Sequence, residues 1–419
     1  MAFDLILAQA RIPGEPERLV DIGVRDGLIA AIEPSLGAAG PVESVDGCLV
    51  APGFVETHIH LDKSCIIDRC SILEGTLNEA ISETARAKRA FTEEDIFARA
   101  RRTLEKAIGG GTMHMRTHVE VDPRVGLKGF RAIRHLAREY AWAIDVEICV
   151  FPQEGLLNDP GTEQLLIAAC NEGADLIGGC PYADTQPIAH IERIFGIARQ
   201  FDFDIDFHLD FDLDASWMHL DEVMRQTRAN GYGGRVAVGH VTKLSAVPPR
   251  RLIEIARDLA DAGVAVTVLP ATDLFLMGRG TDHNTPRGVT RADRLIEHGV
   301  TCSLATNNVL NAFTPFGDGS LLRMANLYAN IAQLGRREDL ERCFDMIAAS
   351  AARVMKLGDY GIAPGSLADL VVLPCHSPSA AVAEIAQPLA GFKRGRRSFT
   401  RPPALLHAPG TTKLLPITA

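Results

Sequence analysis

Eight short apolar runs, each followed by a segment of helical spacing, constrain this chain more than any other feature. The first, "CLVAPGFVE", leads into His58; the others are "TMHMRTHV", "DVEICVFP", "ADLIGGCP", "DIDFHLD", "GRVAVGHV", "VAVTVLP" and "VTCSLAT". A strand–helix alternation repeated eight times is the pattern of a (β/α)8 barrel. The segment "FTEEDIFARARRTLEKAIGGG" shows the helix signals. Thr92 is placed to cap, and Asp95 falls where a capping-box acid would. Ile96, Phe97, Ala100, Leu104 and Ile108 share one face, and Gly109–Gly111 stop the helix. The chain of 419 residues is long enough for one large barrel and a smaller appendage. Short β-like runs punctuated by Gly, Pro and Asp occupy both ends: "FDLILAQARI", "VDIGVRDGLIAAIEP" and "VESVDGCLV" at the start, "GIAPGSLADLVVLPC" and "PLAGFKRGRRSFTRP" at the finish. These predict an α/β chain. Its TIM-like barrel spans residues 53–356, and one small β domain is made from 1–52 and 357–419.

In such barrels chemistry gathers at the C-terminal ends of the strands. In "GFVETHIHLDKS", residues 53–64, His58 and His60 are two apart on a strand and point the same way, a geometry that holds a divalent metal. Other runs end in His118 and Glu120, Gln153 and Glu154, His208 and Asp210, His240, and Thr306, Asn307 and Asn308. Five of the thirteen histidines thus fall at predicted strand ends, which scattered surface histidines would not do. His58, His60 and His208 are the expected metal ligands. His240 is better placed as an acid/base group beside the metal. For His118 a substrate-side role and a packing role stay open. His114, His219 and His283 have no comparable support.

The formal charge of -10 and pI near 5.7 argue against nucleic acid or an anionic membrane as the main partner. No apolar stretch approaches the roughly 18 residues of a membrane span. The start, "MAFDLILAQARIP", has no basic leader, so no signal peptide is expected. Nine scattered cysteines without a CxxC pair suit reduced thiols in a cytoplasmic protein.

Taken together, "GFVETHIHLDKS", "RTHVEVD", "FPQEGLL", "GADLIGG", "DIDFHLD", "GRVAVGH" and "GDYGIAPGSLADLVVLP" resemble segments of the amidohydrolase superfamily, in its cytosine deaminase and N-isopropylammelide amidohydrolase branch. The resemblance covers essentially the whole chain. It implies a β-sandwich beside the barrel and one divalent ion, zinc or iron with manganese also suitable, held by His58, His60 and His208. It implies His240 as the residue that orients or deprotonates the attacking water, and Gln153 as a hydrogen-bonding partner of a small heterocyclic substrate. Lys63 is similar to a lysine of the isopropylammelide enzyme, and Phe313 falls where cytosine deaminase has a pocket Trp. A core-packing role for Phe313 is the alternative. A bound divalent ion lowers the pKa of its water from about 15.7 towards roughly 7, and the leaving nitrogen needs a proton.

Two positions depart from the family. Asn307, in "SLATNNVLNAFTPFG", stands where the family carries a metal-binding, proton-shuttling Asp, and Phe211 stands where cytosine deaminase has a ring-protonating Glu. A carboxamide can offer its oxygen to a metal but cannot take a proton near neutral pH. Asp210, placed by strand alternation on the face of His208, is the candidate replacement, with Lys63 as another acid or base. The alternative for the acidic run around Asp210 is a solvated loop. Three functions follow. The first is a deaminase or aminohydrolase of pyrimidine-, triazine- or purine-like rings. The second is a hydrolase of another non-peptide C–N bond, an amide or cyclic ureide. The third is a catalytically silent ligand-binding barrel. Oligomeric state is unspecified, and a homo-oligomer would be unsurprising.

Overall fold

In the computed structural model, which describes residues 2–37, 40–404 and 406, the eight predicted runs are eight strands. They are Phe54–Ile59, Thr112–Glu120, Asp145–Phe151, Leu176–Gly179, Asp204–Leu209, Val236–His240, Val264–Val268 and Cys302–Leu304. Each pairs in parallel with the next in sequence order. All residues of the first two are buried, because helices cover the outside of a parallel barrel while side chains fill its inside. The ring closes through one residue just past the last strand. Asn307 N–H donates to the His58 carbonyl at 2.8 Å, and His60 N–H donates to the Asn307 carbonyl at 2.9 Å.

The helix Glu93–Gly109 forms as its sequence predicts. Thr92 Oγ1 accepts the Asp95 N–H, and Ile96, Ala100, Leu104 and Ile108 are buried, with Phe97 half-buried. The Asp95 carboxylate does not return to the cap; it takes both ends of the Arg69 guanidinium at 2.7 and 2.8 Å. Gly111 then turns the chain into the second strand at φ +92, where a Cβ would meet Val371 Cγ2 at 3.0 Å. Between the first strand and this helix lies an added helix, Leu77–Ala87, with a single turn at Lys88–Ala90. Its Ala80 packs with Phe211, Leu276, Met277, Ala312 and Phe313 in a separate apolar cluster over the barrel mouth.

The chain ends meet in one mixed sheet, in which Leu49–Pro52 runs antiparallel to Leu370–Leu373. Its two halves pack over a core that includes Leu7, Ile22, Val50, Leu370 and Phe392. On that arrangement we propose the domain division 1–52, 53–356 and 357–419; residues 405 and 407–419 lie outside those described. All nine cysteines are free thiols, and no described helix is long and apolar enough to cross a membrane.

Candidate metal centre and active site

Strand alternation brings His58 and His60 to the barrel mouth, and His208 meets them from the opposite wall. Its Nε2 lies 3.0 Å from His58 Nε2 and 3.0 Å from His60 Nε2. One ring nitrogen carries a single in-plane proton or a single lone pair, so it cannot hydrogen-bond two imidazoles at once. Imidazole nitrogens that share a divalent ion come close together without any hydrogen bond between them. The donor set therefore fits a metal better than it fits a hydrogen-bonded histidine cluster. Burial, reinforced by the surrounding imidazoles and, for His60, by Lys63, holds all three pKa values well below the usual histidine range. Neutral rings with free lone pairs are the form a metal needs.

The polar atoms around this point are largely unspent. His58 Nδ1, both ring nitrogens of His118, His208 Nδ1 and both side-chain polar atoms of Asn307 are buried without a hydrogen-bond partner among the described residues. Asn307 sits at φ +62, a left-handed conformation that Asn tolerates, forced by the barrel closure just described. His118 stacks on His58 with ring centres 3.8 Å apart, and its Nε2 is 3.5 Å from Asp206 Oδ1. Asp206 in turn accepts from Arg116 Nη1 at 2.9 Å.

His240 ends the sixth strand at φ +70, with Nδ1 2.7 Å from Asp273 Oδ1. A carboxylate at that distance assigns the proton to Nδ1 and leaves Nε2 bare. His58, His208 and His240 offer nitrogens within 4.8 Å of one another. Phe211 lies flat on the other side of the His240 ring, 3.7 Å between centres. Across the mouth, the buried Lys63 ammonium donates to Glu120 Oε1 at 2.7 Å and Gln153 Oε1 at 3.1 Å, and sits 4.2 Å over the Phe313 ring.

Asp210 is not part of this assembly. The strand stops at Leu209, and φ +49 at Asp210 breaks the alternation that would have kept it on the His208 face. Its two carboxylate oxygens accept the backbone N–H groups of His219 and Leu220 at 2.9 and 3.0 Å, anchoring the start of the next helix. The solvated-loop alternative holds for only part of the acidic run: Asp202 and Asp214 are exposed and Asp212 half-exposed, whereas Asp206 and Asp210 are buried.

Sequence reasoning misses four residues here. Asp206 and Glu56 share the period-two face of the histidines, a signal that was available. Glu56 accepts from Thr306 Oγ1 and from the His58 and Thr306 N–H groups, while burial pushes its carboxyl up to about 7. Asp273, in "LPATDLFL", and Lys88, in "RAKRAF", carry no spacing signal.

A parallel eight-stranded barrel with a histidine cluster at the strand ends places a candidate metal site where barrel enzymes carry their chemistry. Residues 42–144 and 130–396 match the amidohydrolase family, and the chain belongs to it. The chain is 28% identical over 404 residues to an N-isopropylammelide isopropyl amidohydrolase from Pseudomonas sp. (strain ADP), covering 94% of this chain and 96% of that protein. Its structure resembles that of a 5-methylcytosine deaminase from Klebsiella pneumoniae liganded with 5-fluorocytosine, with TM-score 0.91 and 28% identity, covering 96% of this chain and 99% of the other. It also resembles an N-isopropylammelide isopropylaminohydrolase from Burkholderia multivorans, with TM-score 0.83 and 27% identity over 94% and 97% of the two chains. The protein is a hydrolase acting on non-peptide carbon–nitrogen bonds.

Proposed function

We propose that this protein removes an amino or substituted-amino group from a small pyrimidine-, triazine- or purine-like heterocycle, using one divalent ion, zinc or iron, held by His58, His60 and His208. The observation that carries the reading is the double 3.0 Å approach at His208 Nε2. When bound, such an ion lowers the pKa of a water molecule towards neutrality and so supplies a nucleophile. His240 would serve as the base at Nε2, since Asp273 holds its Nδ1 and fixes the ring in the tautomer that leaves Nε2 free. Asn307, whose carbonyl oxygen is buried and unpartnered, would offer that oxygen to the ion, without the charge of a carboxylate. Gln153 donates one Nε2 proton to Cys180 Sγ at 3.3 Å and keeps the other for a ring edge, Lys63 stands beside it with one proton beyond those given to Glu120 and Gln153, and Phe313 supplies a flat apolar wall. His240 can return the proton it accepts to the departing nitrogen, and Lys63 is the second donor on the substrate side, because neither Phe211 nor Asn307 can serve.

Phe211 against His240 favours a second reading, hydrolysis of an amide or cyclic ureide, whose leaving nitrogen needs no ring-protonating acid on that side. One screen separates the two. Zinc- or iron-loaded protein is assayed for ammonia or amine release from cytosine, 5-methylcytosine, N-isopropylammelide and aminopurines, and for ring opening of cyclic ureides. Amine release at enzyme-like rates supports the first reading; ureide opening with no amine release overturns it.

A further inference from the structure

We infer that Lys88 is a positioning residue that fixes the direction of the Lys63 ammonium through Glu120. The inference rests on Lys63 being a substrate-side group, as proposed above.

Behind Lys63 lies a buried set of charges that the mechanism leaves unused. The Lys88 ammonium is 2.7 Å from Glu120 Oε2, 2.5 Å from Asp122 Oδ2 and 2.5 Å from Glu154 Oε1. Glu120 Oε2 and Asp122 Oδ2 each take one of its protons in a hydrogen bond, and Glu154 completes the set as an ion-pair contact. Although burial disfavours its charge, the three carboxylates hold its pKa above the usual lysine value. Glu120 divides its carboxylate, giving Oε2 to Lys88 and Oε1 to Lys63. A planar group bonded at both oxygens cannot turn without losing one partner. Its backbone N–H is tied as well, donating to Asp62 Oδ2 at 2.9 Å. Burial would raise the Glu120 pKa, but the two lysines bring it down to about 2, so the bridge stays ionised.

The arrangement is costly as a stabilising device, because a buried ion network often does no better than apolar side chains of the same volume. What it supplies is direction. With Lys88 in place, Glu120 holds Lys63 over Phe313 and against Gln153. Without Lys88, Asp122 and Glu154 keep only Arg124, at 3.5 and 3.9 Å, and Lys63 becomes the sole cation on Glu120. The ammonium is then drawn back towards the stranded carboxylates and away from the imidazoles. Lys88 also directly follows the helix Leu77–Ala87, which roofs the site through Ala80, so the segment that covers the mouth also delivers the brace.

The test uses full-length protein labelled with 15N at the lysine side chains, with the Lys63 and Lys88 ammonium signals assigned by their loss in K63M and K88M. K88M is expected to shift or broaden the Lys63 signal and K88R to restore it. With N-isopropylammelide as substrate, K88M is expected to lower kcat about tenfold with KM within about threefold, and K88R to recover most of the loss. Should K88M alone not fold, the triple variant K88M/D122N/E154Q removes the stranded charges and serves in its place. A Lys63 signal unchanged in the folded variant overturns the inference. Absence of turnover in the wild type counts against the proposed reaction instead, and the resonance experiment still decides the role of Lys88.

Discussion

The two ends of the barrel carry clusters of similar composition and opposite state. At the base, His114 Nε2 is 3.0 Å from Asp369 Oδ2, and Asp145 lies 3.7 Å from the other ring nitrogen, a set that could in principle hold a cation. Lys393 already fills that place. Its ammonium is 2.7 Å from each carboxylate and donates to the Met113 carbonyl, while Arg394 N–H takes the remaining Asp369 oxygen. The cluster ties the first turn of the barrel to the terminal sheet. At the mouth, the imidazoles of His58, His118 and His208 and the Asn307 carboxamide are more deeply buried and yet left with polar atoms unmatched. Buried polar groups are almost always paired in a finished structure. A fully paired cluster therefore reads as a structural joint, and an unpaired one as a place kept for something else.

Substitutions should separate the two. The largest effect is expected from H208A, which removes the shared nitrogen: turnover falls by at least about 10³-fold while the melting temperature of metal-free protein changes little. Next is K393M at the base, which strands two carboxylates. Because Asp145 is partly exposed, a loss of about 3 kcal/mol in denaturant unfolding is expected, with activity per folded molecule retained. D273N keeps the shape of the acceptor beside His240 but not its charge, and about a 10²-fold loss in kcat with normal metal content is expected.

Acid gives the smallest and most graded contrast, read by unfolding of metal-stripped protein at a series of pH values. The mouth histidines have lowered folded pKa values against about 6.5 unfolded. Below that pH the unfolded chain binds more protons at the histidines, so stability begins to fall under about 6.5, by less than the histidines alone would give because Glu56, with its folded carboxyl up at about 7, acts in the opposite sense. At the base, burial alone would raise the Asp369 pKa, but His114 and Lys393 bring it to about 2. Its contribution, about 2 kcal/mol, is complete above pH 4 or so and is lost only as pH falls from there towards 2. A single transition covering both steps would break the distinction between the two ends.

The barrel was legible because its strands are buried on both faces and so read as unbroken apolar runs, from "TMHMRTHV" to "VTCSLAT". The placing of His58, His60 and His208 at strand ends follows from the same periodicity. Where the backbone leaves that period the reading fails. Asp210 is the clearest case, since a positive φ one residue past the strand turns its carboxylate to a helix start. Asp273 and Lys88 fail for another reason: each sits in a helical or turn segment between strands, without the strand period that marks the histidines, and only the tertiary packing brings it to the site. The added helix Leu77–Ala87 belongs to no strand–helix repeat and was invisible to a count of repeats.

Metal content measured by mass spectrometry on wild type, H208A and H114A, each purified from cells grown with zinc, iron and manganese, tests the unpaired cluster most directly. About one divalent ion per chain in wild type and H114A, and almost none in H208A, is the expected result. A metal-free wild type, or an H208A protein that keeps its ion, would show that the imidazoles at 58, 60 and 208 are gathered for some purpose other than holding it.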